Sequence, residues 1–423
     1  MTVLLQVFHA LVLSRLEFFL YPELLIYPYL TASRVIPYAQ ILDQHFPGLM
    51  FFPINFFTLG FQDPVSFKSL MIIIVLIQSA IIYRLSRSKI SVLLLTLWQP
   101  IFEGNQLWLE TFLPLFLLPG FLLFQAGNFL TLGLVLGLAV VFKQTLIPVV
   151  AYVGMTLLFR RRFRQLFIFS IAAVFPSILM LLYFYRLGTL ADFWYWTVDF
   201  NLTVFASLGR NLPTLKEAAK VMLIFSVGLY CFVRYPKSRH MLLWGLLASL
   251  ETFSRFGLIH LQPFIPFLAV AVSLAKKSLK FVVLTILISV TWFGYFMYDT
   301  PNPGGYKYFD THNLKLIDIV KKHTDPGQKI FLLGVQPHVY KETSTLPPAN
   351  IFVFQFPWFL QVSGGRILTS LRVDPPELVL FDTESNIDDQ YLRDYASYLV
   401  EYIKAHYQLI DQVDSVQIYA RRN

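Results

Sequence analysis

The residues of this chain that could do acid–base chemistry stand in an apolar stretch near its N-terminus. Glu23 and Asp43, with His45 close to the second, lie among Tyr, Leu and Pro residues between positions 15 and 66. A carboxylate in apolar surroundings near a membrane is costly to keep charged. It is therefore either a hydrated surface group or a group retained for proton transfer. Glu23 and Asp43 are the candidate general bases.

Three basic side chains interrupt apolar sequence farther along the chain. Lys143 divides the stretch 129–159, while Arg255 and His260 flank a short turn. Arg and Lys bind phosphate strongly, so cations at the membrane interface suit a phosphorylated lipid. The same residues also fit a loop lysine, a snorkelling arginine and a hydrogen-bonded turn histidine, and the sequence leaves both interpretations open. Binding of one phosphate predicts that Lys143 and Arg255 approach the same outer cavity.

Composition indicates which elements carry these residues. The chain has 423 residues, of which 56% are hydrophobic and only 14% charged, and the charge deficit is concentrated in residues 1–298. Soluble domains carry roughly 25% charged residues. Repeated apolar runs predict membrane-spanning helices, because lipid cannot satisfy the backbone of an open strand. We predict eleven spans, near residues 2–14, 67–83, 90–102, 111–126, 129–142, 146–159, 165–186, 218–233, 240–256, 260–275 and 281–298.

The distribution of charge predicts the orientation of these spans. The net charge is +9, divided into +12 in residues 1–298 and −3 in residues 299–423. Loops rich in Lys and Arg remain in the cytoplasm, and eleven spans place all the strongly basic loops on one side. This placement explains the basic composition without nucleic acid, and it puts the N-terminus inside and the C-terminus outside. The basic loops are Arg84–Lys89, Arg160–Arg164, Arg234–Arg239 and Lys276–Lys280.

Residues 299–423 predict a small extracytoplasmic α/β domain, which follows a linker at Thr300–Gly305. Ser363-Gly-Gly365, which we place before a helix, lacks the lysine and spacing of a nucleotide loop. We therefore expect this domain to have a lid or acceptor-side role and not a catalytic one. The single cysteine, Cys231, excludes an intrachain disulfide or a cysteine-based metal site. The predicted elements are helices at Leu314–His323 and Tyr391–His406, strands at Lys329–Gly334 and Glu377–Asp382, and a hairpin of Gln408–Ile410 with Ser415–Ala420.

The order of these features resembles the GT-C superfamily of polyprenyl-phosphate-sugar glycosyltransferases, whose members include protein O-mannosyltransferases and aminoarabinose–lipid A transferases. Two positions depart from the family pattern. Pro22-Glu23 stands where an Asp-Glu pair is common, and Gln40 stands where many members have an acid. The matching stretches are Pro22-Glu23, Tyr27-Pro28-Tyr29, Pro37-Tyr38, Asp43-Gln-His-Phe-Pro-Gly48, Gly133–Thr145, Asp192-Phe-Trp-Tyr-Trp196 with Phe200-Asn201, and Arg255–Pro263.

The resemblance implies transfer of one sugar, with inversion, from a polyprenyl phosphate to an acceptor hydroxyl at the outer face of the plasma membrane. The acceptor is a glycan, a lipid or a protein. Glu23 is the preferred base and Asp43 the alternative, which gains weight if Gln40 marks a shifted site. No metal motif is present, and we expect no cofactor and no nucleic-acid partner. The residues expected to bind the lipid phosphate are Lys143, Arg255, His260 and His45.

Three other functions fit part of the sequence. A lipid-linked sugar flippase or another transporter would often show an internal repeat, and none is visible. A non-enzymatic scaffold that displays the C-terminal domain leaves the carboxylates of the first loop unexplained. A polymerase or ligase of surface polysaccharide is the closest enzymatic alternative, and the sequence does not separate it from a monosaccharide transferase.

The charge distribution predicts that the two termini lie on opposite sides of the membrane. A reporter that is active only in the cytoplasm, fused after Asn423, should give no signal, whereas an export-dependent reporter at the same position should be active. The opposite pair of signals would contradict the assignment.

Overall fold

A computed structural model describes residues 2–208, 211–253, 255–275, 278–300 and 304–422. Most of the chain before residue 300 is helical. Three two-residue strands lie in the connections: β1 (Phe19–Leu20), β2 (Ile41–Leu42) and β3 (Gln106–Leu107). The helices are α1 (Thr2–Arg15), α2 (Glu23–Ala32), α3 (Pro64–Ser86), α4 (Lys89–Ile101), α5 (Leu109–Phe112), α6 (Pro114–Ala126), α7 (Phe129–Phe142), α8 (Ile147–Phe159), α9 (Phe163–Leu187), α10 (Leu190–Trp194), α11 (Ala206–Leu208), α12 (Leu215–Arg234), α13 (Arg239–Ala248), α14 (Phe264–Leu274) and α15 (Leu279–Asp299).

Helices occupy the predicted apolar segments, but most of them are short for a membrane. Within the described residues, four helical stretches have the length and apolar composition to span one: α3, Leu109–Ala126, α9 and α15. A fifth span is possible if α12 and the following helical segment Pro236–Ala248, bent by 119°, count together. The 14 residues of α7 extend only about 21 Å, against a hydrocarbon core of about 30 Å. The structure therefore does not show eleven spans.

Two predicted spans end differently from the expectation. The helix in 240–256 stops at Ala248, and a 3₁₀ turn, Leu250–Phe253, follows it. The predicted span 260–275 becomes α-helical only at Phe264, after a second 3₁₀ turn at Leu258–Leu261. Both turns carry polar side chains that bond to other segments, Glu251 to Lys143 and His260 to Glu110. The ion pairs of these two side chains accompany 3₁₀ turns where the apolar pattern of the neighbouring residues predicts a continuous helix.

Helices α7 and α9 pack closely because α7 presents two glycines to α9. A Cβ on Gly137 would lie 2.2 Å from the carbonyl oxygen of Ala173, and one on Gly133 would lie 2.6 Å from that of Phe169. Small residues four apart on a helix allow such backbone contact in membrane proteins. The Gly133–Thr145 stretch, which suggested a family, thus has a packing role in this fold.

The C-terminal domain is an α/β unit built on one mixed sheet. Strand β4 (Ile330–Leu333) lies parallel to β6 (Leu378–Asp382). Strand β10 (Val416–Arg421) pairs antiparallel with β6 on one side and with β9 (Tyr407–Val413) on the other, so the strand order is β4-β6-β10-β9. The predicted hairpin is confirmed as β9 and β10. Its helices are α16 (Thr311–His323), α17 (His338–Glu342), α18 (Pro357–Val373), α19 (Leu392–Tyr395) and α20 (Ser397–His406), and its strands are β4 (Ile330–Leu333), β5 (Phe352–Val353), β6 (Leu378–Asp382), β7 (Asn386–Ile387), β8 (Gln390–Tyr391), β9 (Tyr407–Val413) and β10 (Val416–Arg421).

Two details of this domain correct the sequence interpretation. Ser363-Gly-Gly365 lies inside α18 and not before a helix. A Cβ on Gly364 would lie 1.8 Å from the Tyr398 hydroxyl oxygen, so this glycine accommodates α20. The predicted helix 391–406 is interrupted at Ala396, where the backbone leaves helical geometry. The predicted linker at Thr300–Gly305 and the lysines at 276 and 277 lie partly or wholly outside the described residues.

The first loop and the C-terminal domain are joined through their backbones. Strand β2 pairs in parallel with β5, and the Phe352 N–H donates a hydrogen bond of 2.8 Å to the Gln40 carbonyl. Phe18 forms a second bridge, donating to Gly305 at 3.0 Å and accepting from Lys307 at 2.9 Å. The domain is therefore seated directly on the loop that contains Glu23 and Asp43.

Close packing of α7 on α9 predicts a sharp difference between two glycine substitutions. Gly137→Ala should lower the free energy of unfolding by about 1–3 kcal/mol, because the added methyl meets the backbone of Ala173. Gly154→Ala, whose Cβ would lie 3.8 Å from Leu166 in ordinary contact, should be neutral or slightly stabilising. Thermal unfolding of both purified variants measures this, and equal stability would contradict the close packing.

Candidate functional site

Short segments from separate parts of the chain assemble the candidate site. Strand β1 pairs in parallel with β3, so Phe19 lies opposite Gln106 and Leu20 opposite Leu107. This ladder aligns the start of α2, where Glu23 stands, with the start of α5, where Glu110 stands. The paired strands thereby bring acidic residues 87 positions apart into the same region.

Asp43 is held by hydrogen bonds to both carboxylate oxygens. The Tyr27 hydroxyl donates to Oδ2 at 2.6 Å, and the His45 backbone N–H donates to Oδ1 at 2.7 Å. His45 Nδ1 lies 3.0 Å from the same Oδ1. Burial alone would lower the pKa of the His45 imidazole, but the Asp43 carboxylate outweighs it and raises that pKa above its usual value. Asp43 thus orients Tyr27 and His45.

Residues from two later segments fix the loop around His45. The Gln144 side chain donates to the Gln44 carbonyl at 3.0 Å and accepts from the Phe46 N–H at 3.1 Å. Asn201 also donates to the Gln44 carbonyl, at 2.9 Å. The stretches containing Gln144 and Asn201, which we singled out in the sequence, therefore meet the Asp43 loop in space.

Lys143 forms the centre of a buried charge cluster. Its side chain is only 1% exposed, and Nζ contacts Glu110 and lies 2.6 Å from Glu251. His260 Nδ1 contacts the same Glu110 oxygen, Oε1, that Lys143 contacts. We refer to Lys143, Glu110, Glu251 and His260 as the lysine cluster. It brings together two of the predicted residues, Lys143 and His260, through a carboxylate that they share.

Glu23 has a different environment from Asp43. It is 8% exposed, and its Oε2 is buried without a hydrogen-bond partner among the described residues. Burial raises the pKa of this carboxyl to about 7, and the nearby Asp43 charge contributes in the same direction. Glu23 lines a cavity of about 240 Å³ between the first loop and the C-terminal domain, together with Tyr21 and Tyr308.

Arg255 contacts the C-terminal domain. Its guanidinium nitrogens lie 3.2 and 3.4 Å from the two carboxylate oxygens of Asp388, and the group sits 4.7 Å from the centre of the Trp358 ring. The Arg255 backbone N–H donates to the Glu251 carbonyl at 3.1 Å, so the Arg255 backbone lies one turn after Glu251 of the lysine cluster. Lys143 and Arg255 thus bind different carboxylates, and their approach to a common ligand stays a prediction.

Sequence reasoning missed Glu110 and Glu251 as site residues. Glu110 lies between the predicted spans 90–102 and 111–126, and Glu251 lies inside the predicted span 240–256. A carboxylate inside an apolar span is expensive unless it pairs with a cation. Lys143 is also isolated in apolar sequence, and matching these unusual charges would have predicted the pair. Nothing in the sequence indicates which of the acidic residues Lys143 selects.

Three members of the lysine cluster have the chemistry of metal ligands. Glu110, Glu251 and His260 each offer one ligand atom, and these atoms lie within 4.8 Å of one another. Carboxylate and imidazole suit a divalent transition metal. The Lys143 ammonium, however, already lies against both carboxylates and would repel a second cation. The expectation of a metal-free reaction stays a prediction.

No protein-family model matches the chain, and no curated protein sequence matches it. Assignment of a function therefore depends on the motifs and on the geometry of the residues described above.

The lysine cluster predicts strong energetic coupling between Lys143 and Glu110. Lys143→Met should destabilise the protein by about 3–5 kcal/mol, because it leaves buried carboxylates without their cation. Adding Glu110→Gln should recover part of that loss. Breaking the exposed pair of Lys216 with Asp299 by Lys216→Met should change the stability little, because solvent screens both charges. Thermal unfolding in one detergent measures all three variants. A Lys143→Met protein as stable as the Lys216→Met protein would refute the cluster.

Proposed function

We propose that this chain is a membrane glycosyltransferase of the GT-C type. It moves a sugar from a polyprenyl phosphate to an acceptor hydroxyl on the outer face of the plasma membrane. The observation that carries the proposal is the position of Glu23, a buried carboxyl with a raised pKa that lines a cavity beside the assembled outer segments. Buried carboxyls of this kind occur preferentially at functional sites.

Contacts between loops support the proposed arrangement in the membrane. The Arg160 side chain lies 3.4 Å from His240, and Tyr230 lies 3.5 Å from Ser278, so three of the basic connections are neighbours. The candidate site joins connections at the other ends of the helices. In the proposed topology, eleven segments cross or enter the membrane, with short helices held in the protein interior. The basic connections then face the cytoplasm.

The hydrogen bonding favours Glu23 over Asp43 as the base. Both Asp43 oxygens already accept hydrogen bonds, one from the Tyr27 hydroxyl and one from the His45 backbone N–H. Glu23 has a buried oxygen without such a partner in the described structure, and its pKa lies near neutrality. A general base is most effective when its pKa is close to the working pH. We therefore assign proton removal to Glu23 and an orienting role to Asp43.

The reaction balances without a further reactant. The Glu23 carboxylate removes the proton of the acceptor hydroxyl while the acceptor oxygen attacks the anomeric carbon of the donor sugar. The bond from that carbon to the phosphate oxygen breaks, and the polyprenyl phosphate departs with the electron pair. Attack from the face opposite the leaving group inverts the anomeric configuration.

Charge balance indicates which cation meets the lipid phosphate. Lys143 is buried and lies against two carboxylates, so the pairs around it carry no excess positive charge. Arg255 is 26% exposed and its partner Asp388 is 33% exposed, so water can reach this ion pair. We assign the phosphate to Arg255, with His260 and His45 as additional donors. Lys143 then holds the carboxylates of Glu110 and Glu251 in place. It could pair with the lipid phosphate only if one of these carboxylates moved away from its ammonium group.

Substitution of the two acids separates their roles. Glu23→Gln should reduce sugar transfer by about 10²–10⁴-fold, because the amide preserves shape but cannot take a proton. Asp43→Asn should leave measurable transfer while lowering stability, since it disturbs the bonds to Tyr27 and His45. Transfer is measured with a radiolabelled polyprenyl-phosphate sugar pool. Near-normal transfer by the Glu23 variant with a dead Asp43 variant would move the base to Asp43, and normal transfer by both would refute the site.

The raised pKa of Glu23 adds a pH dependence. Transfer should fall as the pH drops through about 7, because protonation removes the base. Stability should change in the opposite sense. The folded state binds this proton more tightly than the unfolded state, whose pKa is near 4.5, so unfolding becomes easier as the pH rises from about 4.5 to about 7. Glu23→Gln should abolish this component of the stability profile. An unchanged profile would contradict the burial of an ionisable Glu23.

A further inference from the structure

The cavity beside Glu23 lies at the carboxyl ends of two parallel strands of the C-terminal sheet. Strands β4 and β6 are parallel, so their carboxyl ends lie at the same edge of the sheet. The segments that follow them, starting at Gly334 and containing Ser385, line the cavity. Ligands of α/β sheets bind preferentially outside the carboxyl ends of the strands. Gly334 has a φ of +77°, and a Cβ there would lie 2.7 Å from Ser385, so the wall requires glycine.

The lining of this cavity combines aromatic rings with hydrogen-bonding groups. Tyr21 and Tyr308 present rings from two segments, and Tyr21 is held by stacking on Trp108 with ring centres 4.6 Å apart. Gln336, which has a side-chain amide, also lines the cavity. Aromatic faces beside amide and carboxyl groups suit a sugar ring, which has apolar C–H faces and equatorial hydroxyls.

A second cavity shows by contrast what an apolar ligand would require. It lies between α12 and α13, has a similar size of about 250 Å³, and is lined by apolar residues such as Phe225, Leu229 and Leu246. The cavity beside Glu23 has nearly the same volume but includes Glu23, Gln336 and Ser385. An apolar chain would leave those polar groups without partners, which is unfavourable. The cavity beside Glu23 is therefore the less suitable of the two for a lipid tail.

Size and charge narrow the ligand further. A volume of about 240 Å³ accommodates one sugar ring. The carboxyl of Glu23 disfavours a phosphorylated or uronic sugar once it is ionised. We propose that the acceptor is a carbohydrate and that its terminal neutral sugar ring binds in this cavity, with the accepting hydroxyl directed to Glu23. The proposal rests on the glycosyltransferase function proposed above and specifies its acceptor.

Binding of free sugars to the full-length protein in nanodiscs tests the cavity without the donor lipid. Ligand-observed NMR is run with glucose, galactose, mannose and N-acetylglucosamine, and with glucuronate as the anionic comparison. At least one neutral sugar should bind. Gln336→Leu should weaken it about three- to tenfold through loss of a hydrogen bond. Gln408→Leu, at an exposed position on β9, is the matched control and should bind normally. Tyr308→Phe should retain binding, whereas Tyr308→Leu should lose it.

The outcomes separate this inference from the proposed function. Sugar binding that both cavity variants leave unchanged would overturn the cavity assignment. Absence of sugar binding, together with transfer to a lipid or protein acceptor, would overturn the acceptor proposal and leave the transferase function standing. Specific sugar binding without any sugar transfer would support the cavity and refute the function. Displacement of the free sugar by polyprenyl-phosphate sugar, but not by an oligosaccharide, would make this the donor subsite and overturn the acceptor assignment.

Discussion

Burial of the Lys143 ammonium against Glu110 and Glu251 is the interaction on which the candidate site depends. The three residues come from three separate connections, and His260, which lies in the same connection as Glu251, also contacts Glu110. A buried charge is tolerated only when it is paired and hydrogen-bonded, so each carboxylate constrains the position of its segment. The neighbouring Gln144 extends the constraint to the loop of Asp43 and His45. One lysine thus connects segments that the helices alone would leave independent.

The two acids of the first loop, Glu23 and Asp43, are chemically similar but have different surroundings. Asp43 is surrounded by donors that stabilise its charge, whereas Glu23 is buried beside a cavity with an oxygen that no described residue contacts. The first arrangement suits an orienting carboxylate, and the second suits a base that exchanges a proton near neutral pH. Most of the other residues that line the cavity beside Glu23 belong to the C-terminal domain, which pairs with the first loop through β2 and β5.

Much of the framework follows from sequence patterns, and much of the site does not. Long apolar runs predicted where helices lie, compact apolar runs flanked by polar residues predicted β4 and β6, and the closing hairpin was also predicted. Helix length could not be predicted as well, because the connection between α13 and α14 forms two 3₁₀ turns in which Glu251 and His260 bond to distant segments. The sequence singled out Glu23, Asp43, Lys143 and His260 as unusual charges. It could not show that Arg255 pairs with Asp388, since that contact depends on how the C-terminal domain packs.

Turnover by the purified chain tests the central claim most directly. The protein is reconstituted in liposomes with radiolabelled polyprenyl-phosphate sugars and an oligosaccharide mixture, and both labelled product and released polyprenyl phosphate are quantified. A glycosyltransferase should release one polyprenyl phosphate for each sugar that appears on the acceptor, with inverted anomeric configuration. Movement of intact labelled lipid between leaflets without release of polyprenyl phosphate would contradict the account and indicate a flippase.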